Sequence, residues 1–270
     1  MTRTGRALLV GGIAVFVAAV LGLVLSGHSV LRYSADHDRT RALWQLWAPV
    51  TVALLVAVLL APKKPAVDPF TGTDPRTLAV RTWSLVVLGA AFAAGYYVSP
   101  RGDLWFLGLK VALLLVIPLA VVRVTWREWS TVDLQGRWLR PLLVVTVYIG
   151  LITVLTPWSG SAAPIAVLAV VFLVNAVLEE VFYRFWLQTR LESLYGRWPA
   201  IVVASLLWAV WHVGIQGGGG LPLDLASVVA NQGVTGLLLG YLWSRHRNPW
   251  MLILAHGLVN APPAMLIALF

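Results

Sequence analysis

The chain has 270 residues, 20 of them basic and 11 acidic; 11% are charged, 59% are apolar and the mean hydropathy is +0.83. A soluble domain carries about 25% charged and 45–50% apolar residues, so this composition excludes disorder, a fibrous repeat and an ordinary cytosolic enzyme, and predicts a polytopic membrane protein. The absence of cysteine excludes disulfides, thiolate catalysis, iron–sulfur clusters and Cys-ligated zinc, and the net charge of +9 is spread between apolar runs, so no nucleic-acid partner is expected.

Crossing the hydrocarbon core takes about 20 mostly apolar residues. In chain order nine segments approach that length: 7–26, 42–61, 82–98, 104–122, 141–157, 163–187, 199–215, 225–243 and 250–270. The first follows Arg3 and Arg6 as a signal peptide would, but its apolar run is too long and no A-x-A site follows. It is read as an uncleaved span. The predicted fold class is therefore all-α, a polytopic transmembrane bundle of about nine spans, with eight as the alternative count.

Orientation follows from the basic residues of alternate connections. One side holds Arg3, Arg6, Lys63, Lys64, Arg76, Arg81, Arg123, Arg127, Arg137, Arg140, Arg184, Arg190, Arg197, Arg245 and Arg247; the other holds only Arg32, Arg39, Arg41 and Arg101. This imbalance predicts a cytoplasmic N-terminus. Trp44, Trp83, Trp105, Trp126, Trp158, Trp198, Trp243 and Trp250 lie near segment ends, as expected of interfacial anchors. No repeat and no separate soluble domain stands out. The lipid bilayer is thus an expected partner, and the protein is expected to be integral to a bacterial cell membrane.

A charged residue near a span centre costs roughly 2.5–3.5 kcal/mol even on insertion scales. Lys110, a turn and a half into the fourth segment, is read as snorkelling to the interface. The remaining load falls in the last third, in Glu179, Glu180, Arg184, His212, His256 and Asn260. On an α-helix Glu180 and Arg184 are an i,i+4 pair with the acid first, whereas Glu179 is turned about 100° away, beside Asn175. One carboxylate then has an intrahelical partner and its neighbour does not, a structural acid beside a working one. Ser205, Trp208 and His212 share one face of the next segment, and His256 and Asn260 are again i,i+4. Three helices thus offer a carboxylate, two imidazoles and an amide, the parts that activate a water and stabilise an oxyanion. Counting about 1.5 Å per residue brings them together in the inner half of the bilayer. The Gln216–Gly220 tract is read as an external loop.

These residues resemble the CPBP family of intramembrane proteases, which includes the CAAX endopeptidases and the bacteriocin-processing and abortive-infection-type proteins. That family carries EExxxR, FxxxH and HxxxN in order on separate membrane helices. Here they stand as Glu179-Glu180-Val-Phe-Tyr-Arg184, Trp208-Ala-Val-Trp-His212 (with Trp for Phe) and His256-Gly-Leu-Val-Asn260. The resemblance implies an endopeptidase with a catalytic core over 161–270, and leaves 1–160 as membrane segments of unassigned role. It implies catalytic roles for Glu179, His212, His256 and Asn260: Glu179 with His212 activating water, His256 with Asn260 holding the oxyanion. Glu180, Arg184 and Trp208 would shape the site. The implied partner is a membrane-associated protein or peptide, prenylated or leader-type. No cofactor is certain; zinc stays open, with Glu179, His212 and His256 as its ligands if it binds. The competing readings are an ion- or proton-coupled transporter and a non-proteolytic scaffold or immunity protein that keeps the fold.

Overall fold

Helices occupy every apolar run that the sequence marks out. A computed structural model describes residues 1–32, 40–64, 66–99, 102–124, 138–157 and 164–267. Helix α1 (Arg3–Leu25) is N-capped by Thr2, whose hydroxyl accepts the Gly5 N–H at 3.0 Å. Strands β1 (Val30–Arg32) and β2 (Thr40–Ala42) pair antiparallel and lead into α2 (Leu43–Leu59). Helix α3 (Pro75–Val98) has Pro75 in its first turn and Asp74 as cap. The Thr77 hydroxyl and N–H both donate to Asp74, holding its carboxyl below the ordinary carboxylate range. Helices α4 (Asp103–Ala120), α5 (Leu139–Leu155), α6 (Ile165–Tyr195), α7 (Arg197–Gln216) and α8 (Leu221–His246) follow. The last apolar segment is divided into α9 (Pro249–Asn260) and α10 (Pro263–Ile267). Pro262 and Pro263 bar the preceding residues from continuing the helix.

Among the described residues six helices (α1, α3, α4, α6, α7 and α8) are long and apolar enough to cross a membrane, and α2 and α5 are shorter apolar helices. The protein is an all-α polytopic membrane protein. Helices α7 and α8 form its interior, with 61% of their apolar windows buried, against 17% in α1 and α4. Val10, Ile13, Val17, Leu21 and Val24 leave α1 exposed and apolar, as a lipid-facing helix is.

Alternate connections gather at opposite ends of the bundle. At one end Ser193 donates to Asp68 at 2.8 Å, Arg197 to Ser244 at 3.0 Å, and Arg245 to the Pro62 carbonyl. At the other, residues 28–32 and the 216–224 connection line one small hollow. The glycine tract there is pinned: Gly218 and Gly219 donate their N–H groups to Asp224 at 3.0–3.1 Å.

Three details depart from the sequence reading. Arg190 is not a loop residue; like Arg184 it is buried within α6, which continues to Tyr195. Trp243 is no interfacial anchor but is fully buried, donating its indole N–H to Thr189 at 2.9 Å. Lys110 does not snorkel; it is fully buried in the bundle. Arg39, Arg101, Arg127, Arg137, Trp126 and Trp158 lie outside the described residues.

The N-terminus-in orientation predicts a labelling pattern, which the absence of native cysteine makes clean. A cysteine replacing exposed Thr71 should react with impermeant reagent only from the cytoplasmic side, and one replacing exposed Ser26 or Gly219 only from outside. Reaction of Thr71 and Gly219 positions from one side would overturn the topology.

Candidate active site

Helices α6, α7 and α9 each carry one motif, and local backbone geometry sets each side chain. In α6, residues Val170–Val177 and Glu180–Gln188 are wound as π-helix, leaving Leu178 and Glu179 as a short α-helical junction. Wide turns of this kind recur at functional sites. They also alter the side-chain rotation on which the 100° argument rests. Gly196, at φ +92°, caps α6 and begins α7, turning the chain in one residue.

Helix α7 breaks its regular hydrogen bonding at His212. The His212 N–H donates to Ala209 O at 3.0 Å, three residues back, so the Trp208 carbonyl loses its usual i+4 donor. The His212 ring fills that place: Nδ1 lies 3.1 Å from Trp208 O. A carbonyl only accepts, so Nδ1 carries the proton and Nε2 keeps a lone pair. Ser205, expected beside this imidazole, instead donates to Ile201 O at 2.6 Å. Trp211 packs on His212 with ring centroids 4.0 Å apart.

Helix α9 begins at Asn248, whose side chain caps the Met251 N–H at 3.2 Å. His256 then lies in its second turn and Asn260 at its end. Between them Gly257 faces Phe172 of α6 so closely that an added Cβ would collide with the ring, so glycine lets α9 approach α6.

The four proposed catalytic residues converge. A cavity of about 270 Å³ is lined by Glu179, His212, His256 and Asn260, together with Trp208, Asn175 and Trp211. Asn231, Gln232 and Thr235 of α8 complete one wall; Tyr96, Asp103 and Phe106 of α3 and α4 form another. Glu180 and Arg184 are not among the lining residues. They lie behind it.

Both glutamates are buried and both have partners. Glu179 Oε1 accepts from Lys110 Nζ at 2.5 Å, and its Oε2 accepts from the Trp208 indole N–H at 2.5 Å. The Lys110 ammonium also donates to Asn175 Oδ1 at 2.7 Å and lies 4.7 and 4.9 Å from the Phe106 and Trp211 ring centroids. Glu180 Oε1 pairs with His256 Nδ1 at 2.8 Å, while its Oε2 lies 3.5 Å from Arg184 Nε. The Arg184 guanidinium stacks over Trp208 at 4.7 Å. None of its nitrogens has a hydrogen-bond partner among the described residues. The asymmetry drawn from helix periodicity is therefore corrected. Glu179 has a cation from another helix, and the closer partner of Glu180 is His256.

The lining residues also place the cavity along the bundle. His212 stands four residues before the end of α7 and Asn260 at the end of α9, and Asp103 and Gln216 line the same cavity. It therefore lies toward the end of the bundle opposite Arg197, Arg245 and Arg247.

These residues do not fit the zinc set left open by the sequence. The ammonium of Lys110 and the indole N–H of Trp208 occupy the two oxygens of the Glu179 carboxylate where a dication would have to bind. No group of three His, Asp or Glu side chains among the described residues could hold a metal ion.

Sequence reasoning missed Lys110, Tyr96, Phe106 and Trp211. For Lys110 the signal was present: an ionisable residue inside a span is a functional candidate by default.

The fold and site define a polytopic membrane protein with a buried acid–imidazole–amide cavity. Residues 161–262 match the model of the Rce1-like family, type II CAAX prenyl endopeptidases, which belongs to the CPBP/CAAX proteases that the three motifs resemble. No curated protein and no solved structure matches the chain.

Proposed function

We propose that the protein is an intramembrane endopeptidase of the CAAX-protease type, hydrolysing a peptide bond of a membrane-associated substrate without a metal. The observation that carries this reading is the convergence of Glu179, His212, His256 and Asn260 on one cavity within the matched segment.

Glu179 and the Nε2 lone pair of His212 draw a proton from a water as its oxygen attacks the scissile carbonyl carbon. The carbonyl oxygen becomes an oxyanion, which takes a hydrogen bond from the Asn260 amide beside His256, whose Nδ1 is held by Glu180. Collapse of the tetrahedral intermediate returns the proton to the leaving amine. Trp208 holds the second oxygen of Glu179, and Arg184 backs Trp208 and Glu180.

The test is cleavage, by full-length protein in vesicles, of a fluorogenic peptide ending in a prenylated CAAX sequence and of a panel of other membrane-tethered peptides. Wild type is expected to cleave at least one of them. Asn260→Ala should lower kcat about 10²–10³-fold at unchanged melting temperature, the scale of one lost oxyanion donor. Unchanged kcat would remove Asn260 from the mechanism. Absence of any cleavage that responds to these residues would return the site to transport or scaffolding.

A further inference from the structure

The first half of the chain reaches the proposed base through a charged residue that lies outside the matched segment. Lys110, on α4, is fully buried and does not line the cavity, whereas Glu179 does. Its Nζ donates at once to Asn175 and Glu179, two α6 residues on either side of the end of a π-helical segment. Regular α-helical geometry does not give the direction of Glu179 there, because the wide turns on both sides shift the side-chain register. An ammonium held by Asn175 and bounded by Phe106 and Trp211 does fix it.

We propose that Lys110 is a positioning residue of the hydrolytic site, clamping the Glu179 carboxylate between α4 and α7 so that it faces the cavity in a reactive orientation. The inference rests on the reading of Glu179 as general base and adds the residue that aims it. With Lys110 on one oxygen and Trp208 on the other, the carboxylate is held from both sides. A general base displaced by about 1 Å can lose about 10²-fold in rate. The role therefore belongs to kcat rather than to substrate binding.

The experiment measures kcat and KM, per folded molecule, for full-length wild type, Lys110→Met, Lys110→Arg, Glu179→Gln and the Lys110→Met/Glu179→Gln double, on a tethered peptide that wild type cleaves. Lys110→Met should lower kcat about 10²-fold with KM within about 2-fold. Lys110→Arg, which keeps the charge but not the geometry, should fall between Lys110→Met and wild type. The double should be no slower than Glu179→Gln alone, because Lys110 acts through that carboxylate. A purely structural Lys110 would reduce the yield of folded protein and leave kcat per folded molecule unchanged, which overturns the inference. If Lys110→Met does not fold, Lys110→Arg decides: reduced kcat at unchanged KM supports the clamp, and wild-type kcat overturns it. Glu179-dependent cleavage with unaltered Lys110 variants defeats this inference alone. Cleavage indifferent to Glu179 defeats the hydrolytic reading and the inference together.

Discussion

Glu179→Gln is expected to lower turnover by about 10²–10⁴-fold, the range of a lost general base, and to destabilise the protein as well. An amide keeps the size of the carboxylate and can still accept from Trp208, but it cannot take a proton from water. It also leaves the ammonium of Lys110, buried and 2.5 Å away, without its counter-charge. Breaking one side of a buried ion pair typically costs roughly 3–5 kcal/mol. Adding Lys110→Met removes the stranded charge and replaces it with an apolar side chain of similar length, so the double variant should recover much of the lost stability and none of the activity. The measurement is melting temperature and turnover for both variants. An active Glu179→Gln would exclude Glu179 as the base. A stable but inactive one would mean that Lys110 does not depend on it.

Glu180→Gln is expected to fail in a different pattern. Periodicity alone makes Glu180 the structural partner of Arg184; the bundle gives it His256 as well, at 2.8 Å. The amide can accept from the imidazole but carries no negative charge to hold His256 beside the oxyanion, so turnover should fall about 10²-fold. Arg184 loses its nearest acid while buried over Trp208, so the melting temperature should fall too. The double variant Glu180→Gln/Arg184→Met should regain stability and stay slow. Wild-type turnover in Glu180→Gln would remove the Glu180–His256 pair from catalysis. Full activity in the double would make Glu180 no more than a partner for Arg184.

The sequence by itself determined the class, the helices and the motif residues, because those follow from local causes. The apolar runs place the helices and the helix repeat gives the i,i+4 relation of His256 and Asn260, whereas the extension of α6 to Tyr195 and the break at Pro262–Pro263 lay outside the sequence reading. Only the tertiary structure decided who pairs with whom. Lys110 meets Glu179 across 69 positions, and His256 meets Glu180 across 76. Such contacts depend on the rotation and depth of each helix in the bundle, and π-helical winding in α6 shifts that rotation away from the regular 100° step. The Trp208 carbonyl that orients His212 is free only because α7 tightens there. A charge buried in a span reveals in sequence that it needs a partner, since leaving it unpaired is too costly; which partner it finds is set by packing between residues far apart in the chain.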